Sequence, residues 1–144
     1  MYDNILVPTD GSSDARKGAE HAIDLAAALG STVHAVYVIK EGTNPWNPQS
    51  LEDQMDEARA YGDELTGEVA ELAADAGVDC VTETVIGASV AERINEYVEE
   101  EGVDAIVMGS GFRGSMGGVL GSTADKVLRT ARVPVTVLRR GETD

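Results

Sequence analysis

Ile5-Leu6-Val7-Pro8-Thr9-Asp10-Gly11-Ser12 decides the fold of this chain. A short continuous apolar run that stops at a proline and a turn-like Asp-Gly-Ser suits a parallel strand buried on both faces. The next stretch turns helical. Ser12 or Ser13 can supply the cap, and Asp14 places an acid in the first turn, where the helix dipole favours one. Ala15, Ala19, Ala22, Ile23, Ala26 and Ala27 then recur at helical spacing as far as Gly30, a C-cap.

The same alternation continues outward from that unit. Thr32 to Ile39 is a β-branched strand, and residues 40–50 form the one long irregular segment. Apolar positions at Leu51, Met55, Ala58, Leu65, Val69, Leu72 and Ala76 then make a long helix closed by Gly77. Val78 to Ile86 is a third strand, and 88–101 an amphipathic helix through Val90, Ile94 and Val98. Asp104 to Met108 is a buried strand, followed by a glycine-rich loop over 109–121, a helix from about Ser122 to Arg132, and a last strand, Pro134 to Leu138. The order β-α-β-α-β-α-β-α-β predicts an α/β fold: one domain over 1–144, with an open parallel five-stranded sheet and helices on both faces. In such sheets ligands bind beyond the carboxyl ends of the strands, where strand order reverses. Candidate site residues therefore fall at 8–12, 38–42, 86–89 and 109–122.

Composition narrows the function. The chain has 144 residues, 11 basic and 26 acidic, for a net charge of −15. A field of that sign repels phosphate polymers and anionic lipid, so no nucleic-acid partner and no membrane partner is expected. The single Cys80 excludes an internal disulfide and a cysteine metal cluster. No run approaches a membrane span, and Met1-Tyr2-Asp3 does not resemble a signal peptide, which gives the expectation of a soluble cytoplasmic protein. Only three of the basic residues are lysines (Lys17, Lys40, Lys126), which together with the acid suggests a halophilic chain adapted to high salt. The charge is uneven: residues 1–108 hold five basic and 23 acidic residues, whereas 109–140 hold six basic and one acidic. A bound anion is therefore expected near the start of the later stretch.

The densest signal lies there, in Gly109-Ser110-Gly111-Phe112-Arg113-Gly114-Ser115-Met116-Gly117-Gly118-Val119-Leu120-Gly121-Ser122. Glycines let bare amides approach a ligand, the helix after Gly121 offers its free N–H groups to the same space, and Arg113 is the only charge in the loop. A lysine-bearing P-loop is absent. Gly109-x-Gly111-x-x-Gly114 matches the dinucleotide fingerprint but follows the fourth strand rather than the first. The acid expected about 20 residues on is missing, Ala131-Arg132-Val133-Pro134 standing there instead.

The 5–12 segment, Tyr37-Val38 ending strand two, Gly87, Met108-Gly109, Gly121-Ser122 and Val133-Pro134-Val135-Thr136-Val137-Leu138 resemble, in order, the universal stress protein A family. The resemblance implies a Rossmann-like, adenine nucleotide alpha hydrolase-like fold. It also implies an ATP-binding protein of stress signalling, with ADP or AMP as alternative ligands and Mg²⁺ or Mn²⁺ held through the phosphates. Pro8, Thr9 and Asp10 would border the adenosine, Val38 would meet adenine through its main chain, and Met108 and Gly109 would lie along the ribose. Gly111, Gly121, Ser122 and Thr123 would face the phosphates; Arg113, read from its place in the loop and not from the resemblance, is a candidate phosphate clamp. The family's nucleotide-binding branch carries G-2x-G-9x-G-[ST]; here Gly111 to Gly121-Ser122 keeps the second half, and Gly109-x-Gly111 is one residue short. The resemblance further implies a homodimer through the last strand (Val135, Val137), with Arg139 and Arg140 as edge guards if the chain is a monomer, and an unidentified protein partner. Alternatives are a non-nucleotide interaction module of the same family and a slow ATPase.

Each of these residues also has a plainer reading. Asp10 serves equally as a turn residue, Thr9 as strand-end β-propensity, and Arg113 as a solvated loop charge. Ser122 with Asp125 fits the capping pattern [ST]-x-x-[DE]. His21 and His34 read as structural, Cys80 as a small buried residue, Glu99-Glu100-Glu101 as a solvated helix end, and Trp46 as a loop anchor or a partner contact. No Ser–His–Asp set, general base or protein metal site stands out, so no catalytic residue is assigned and any hydrolysis should be slow.

Overall fold

The computed structural model describes residues 2–41, 51–112 and 120–139. It contains β1 (Asn4–Pro8), α1 (Ser13–Leu29), β2 (Thr32–Lys40), α2 (Leu51–Asp75), β3 (Cys80–Gly87), α3 (Val90–Glu101), β4 (Ala105–Gly109), α4 (Ser122–Thr130) and β5 (Val135–Leu138). Local chemistry sets the boundaries. Ser12 caps α1 by accepting from the Ala15 amide at 3.1 Å, and Gly30 ends it at φ 75°, donating to the Ala26 carbonyl. Ser89 caps α3 in the same way, and Gly102 ends that helix at φ 65°.

All strands pair in parallel in the order β3-β2-β1-β4-β5. The chain steps outward from β1 to β3, then returns to the far side of β1, so the strand order reverses between β1 and β4. Helices α1 and α2 cover one face over Ile5, Val7, Val33, Ala35 and Val107; α3 and α4 cover the other over Leu6, Val36, Val38, Ile106 and Met108. With both faces covered, the central strands are apolar without alternation, and each buried Ile, Leu or Val contributes about 1.5–3 kcal/mol. The predicted single-domain α/β sheet is the observed one. Cys80 departs from expectation: it opens the edge strand β3 and is only partly buried. Trp46, Arg113 and Arg140 lie outside the described residues.

Candidate functional site

The reversal brings together the turn after β1 and the segment after β4. Pro8 and Thr9 are buried, the Thr9 amide donates to the Val36 carbonyl at 2.9 Å, and Asp10 Oδ1 accepts the Ser12 amide at 2.9 Å in an Asx-turn. Gly11 follows at φ 83°, a conformation that favours glycine. Asp10 thus has the turn role, and it orders the same turn that caps α1. Val38 is fully buried under α3, pairing with Val85 near the end of β2.

After β4 the backbone is tightly committed. The Ser110 amide donates to Leu138 O at 2.8 Å, Phe112 to Gly109 O at 3.2 Å, and Gly121 to Ser110 O at 2.8 Å. Gly111 donates to Asp14 Oδ2 at 2.9 Å in a buried bond. Met108 and Phe112 are fully buried in the α3/α4 core. Gly121, not Ser122, is the N-cap of α4, with no side-chain cap bond; Asp125 bonds Arg129 at 3.1 Å instead of closing a capping box. Among the described residues, serines cap α1 and α3, whereas the N-cap of α4 is Gly121, which gives its first turn no side-chain cap bond.

Ser122 and Thr123 line a hollow of about 220 Å³ between the starts of α3 and α4, bordered by Ser89, Lys126 and, from the end of β2, Lys40. Lys126 Nζ sits 3.5 Å from both Ser89 Oγ and Glu92 Oε1, so it forms a solvent-exposed ion pair with Glu92 at the edge of the hollow. A second hollow of about 280 Å³ lies on the other side of the turn, between Thr9, Gly11, Ser12 and α2. A larger groove of about 650 Å³ runs between α3 and α4, lined by four glutamates against Lys126 and Arg132. It lies away from the strand ends and holds none of the predicted ligand residues.

Asp14 and Lys126 fall outside the segments expected from the sequence, and Phe112 and Lys40 fall inside them at 109–122 and 38–42 without a role read for either. Lysine scarcity is the one signal that could have singled out Lys40 and Lys126. His34 is structural, as expected: Nδ1 lies 2.8 Å from Tyr97 Oη and Nε2 2.9 Å from Asn4 Oδ1, near the start of β1 and away from the crevice. Burial lowers its pKa, against Glu101 and Glu83, which raise it, and burial likewise raises that of Tyr97. Among the described residues no group of three or more His, Cys, Asp or Glu side chains could hold a metal ion, and no helix is long and apolar enough to cross a membrane.

These features define an α/β protein whose parallel sheet reverses strand order between β1 and β4, with hollows beside the carboxyl ends of its strands. The model of the universal stress protein family matches residues 1–139, and the chain belongs to that family. It is 34% identical to Universal stress protein MJ0531 of Methanocaldococcus jannaschii, over 97% of this chain and 84% of that one. Its fold is similar to Universal stress protein UspA from Lactobacillus plantarum, with a TM-score of 0.82 at 26% identity over 96% and 98% of the two chains. A universal stress protein solved in complex with cAMP shares the fold at a TM-score of 0.72 and 23% identity, over 95% and 96%.

Proposed function

We propose that this chain binds an adenine nucleotide at the carboxyl ends of β1 and β4, between the Thr9–Ser12 turn and the start of α4, and serves stress signalling rather than metabolism. The observation that carries this reading is the start of α4. Among the described residues no side chain caps its first turn, and Ser122 and Thr123 of that turn line a hollow flanked by Lys40 and Lys126. In a chain of net charge −15, that pairing of helix dipole and lysines suits an anion. The buried turn at Pro8, Thr9 and Asp10 and the end of β2 at Val38 supply the neighbouring surface for the adenosine. A protein of the same fold is described with cAMP; ATP is the ligand expected for this chain, and ADP and AMP share its adenosine part. Mg²⁺ or Mn²⁺ would be held by phosphate oxygens and water. Binding without efficient turnover is the favoured reading over slow hydrolysis.

A second copy of the chain would pair along β5, the outer strand of the sheet. Val135 and Val137 pack partly against the α3/α4 core, so the unpaired backbone edge is what the second copy would use. Sedimentation in molar KCl reads that dimer directly. The ligand reading is tested by acid extraction of the purified protein for nucleotide, with thermal shifts on adding ATP and Mg²⁺. A ligand at a hundredfold excess over Kd stabilises by about 2.7 kcal/mol, so modest affinity is visible. Absence of both nucleotide and shift would favour an interaction module of the same family.

A further inference from the structure

We infer that Asp14 is a specificity-determining residue of this crevice, its buried carboxylate limiting how much phosphate charge the nucleotide can bring. The inference rests on the adenine-nucleotide reading. An acid in the first turn of a helix ordinarily faces water, where the dipole favours it. Asp14 is instead 2% exposed. The space it occupies is made by glycine: a Cβ at Gly109 would lie 2.6 Å from the Asp14 carbonyl oxygen and 2.7 Å from its Cβ. Gly18, one turn further along α1, also lies against β4, with Met108 and Gly109 backbone 3.4 Å from a Cβ built there. The first turn of α1 is thereby seated on the end of β4.

In that seat the carboxylate takes the Gly111 amide at 2.9 Å. That amide opens the glycine-rich segment, and the Gly111 carbonyl carbon lies 3.6 Å from a Cβ built at Gly121, the N-cap of α4 where the proposed phosphate site begins. An internal anion already holds the amide. A phosphate drawn towards Gly111 meets a carboxylate of like sign in a buried setting, where charges a few ångströms apart interact by several times more than in water. The penalty grows with phosphate charge: nothing for adenosine, small for a monophosphate, largest for ATP. On the α3/α4 side, Lys40 and Lys126 pull the other way. Phosphate is therefore directed to Ser122 and Thr123 and away from Gly111, and nucleotides with fewer phosphates are favoured over what the glycine pattern alone would allow.

Calorimetric titration of the unmodified chain and of Asp14→Asn with adenosine, AMP, ADP and ATP tests this, all in the same molar KCl. Asparagine keeps a carbonyl oxygen for the Gly111 amide and removes the charge. The expected result is adenosine affinity within about twofold of the parent and ATP affinity raised about tenfold, with AMP and ADP between, the scale of one charge removed at effective ε ≈ 20 and partly screened. An equal change for all four ligands, or no change, would mean a purely structural role and overturn the inference. So would a loss that deepens with phosphate number. If Asp14→Asn does not fold, Asp14→Ser carries the same titration. In the unmodified chain, hydrogen-exchange protection of the Gly111 amide should be equal with adenosine and with ATP, and its loss with ATP would overturn the inference. Failure of all four ligands to bind the parent would instead remove the nucleotide reading and the inference with it.

Discussion

The Gly121 amide donates to the Ser110 carbonyl at 2.8 Å, fastening the start of α4 to the end of β4. The contact is close enough that residue 121 has no room for a side chain: a Cβ there would lie 3.2 Å from the same oxygen and 2.9 Å from the Phe112 carbonyl. Gly121→Val should therefore abolish nucleotide binding by displacing the segment that carries Ser122 and Thr123, and should also lower stability by about 1–3 kcal/mol. Urea denaturation beside ligand titration checks both. Full stability with lost binding would mean that the valine only blocks the ligand.

Two other glycines separate close packing from open space. Gly109→Ala drives a methyl into the Asp14 backbone and should cost about 1–3 kcal/mol. Gly67, inside α2, has nothing within 4 Å of a built Cβ, so Gly67→Ala should stabilise by roughly 0.5–1 kcal/mol. Denaturation midpoints of the two variants should move in opposite directions.

The hollow beside α4 gives a charge-selective prediction. Lys40→Met and Lys126→Met should each weaken ATP binding by about two- to fivefold, the scale of an exposed ion pair, and leave adenosine unchanged. Equal losses for adenosine and ATP would mean that the lysines shape the site rather than meet phosphate.

The buried His34 makes stability depend on pH. Its folded pKa lies below the ordinary 6.5, so the neutral ring is the folded form. Above about 6.5 both folded and unfolded states are neutral and the contribution of His34 is complete. As pH falls below that value, the unfolded chain takes up a proton that the folded state resists, and stability is lost progressively until pH passes the lowered folded pKa. Urea midpoints from pH 7.5 to 5 should fall more steeply in the parent than in His34→Gln; matching slopes would assign the loss to other groups.

Charge makes a prediction of its own. With 26 acidic and 11 basic residues, self-repulsion destabilises the compact state in dilute buffer. At about 1 M salt the screening length falls to about 3 Å, so the melting temperature should rise from dilute buffer to molar KCl. An unchanged melting temperature would remove the high-salt reading.

The order of elements was legible in the sequence because punctuation and pattern agree. Pro8 and Gly11 end β1, Gly30 and Gly102 stop helices in the left-handed conformation, and apolar runs mark strands covered on both faces. The switch-point location followed from that order. The chemistry inside the site was less legible. Asp14 carries the same local signal whether it faces water or β4; only the absent Cβ of Gly109, distant in sequence, decides between them. Phe112 sits among glycines and reads as loop, yet its ring is fully buried beneath α4. The Ser122–Asp125 spacing fits a capping box, but Gly121 takes the cap position at φ −64° and ψ 154°. Lys40 and Lys126 are 86 positions apart, and only the turn of the chain from β2 to α4 puts them beside one hollow.

The most direct measurement of the central claim is a map of backbone amide shifts as AMP is added to ¹⁵N-labelled protein in molar KCl. The predicted result is a continuous patch over Thr9–Ser12, Val38–Glu41, the first turn of α3, Ser110–Phe112 and Gly121–Thr123, with α2 beyond Leu65 and the His34–Tyr97 pair unmoved. Saturating AMP that moves nothing, or that moves Glu96, Glu99, Glu100, Thr130 and Arg132 of the acidic α3–α4 groove instead, would contradict it.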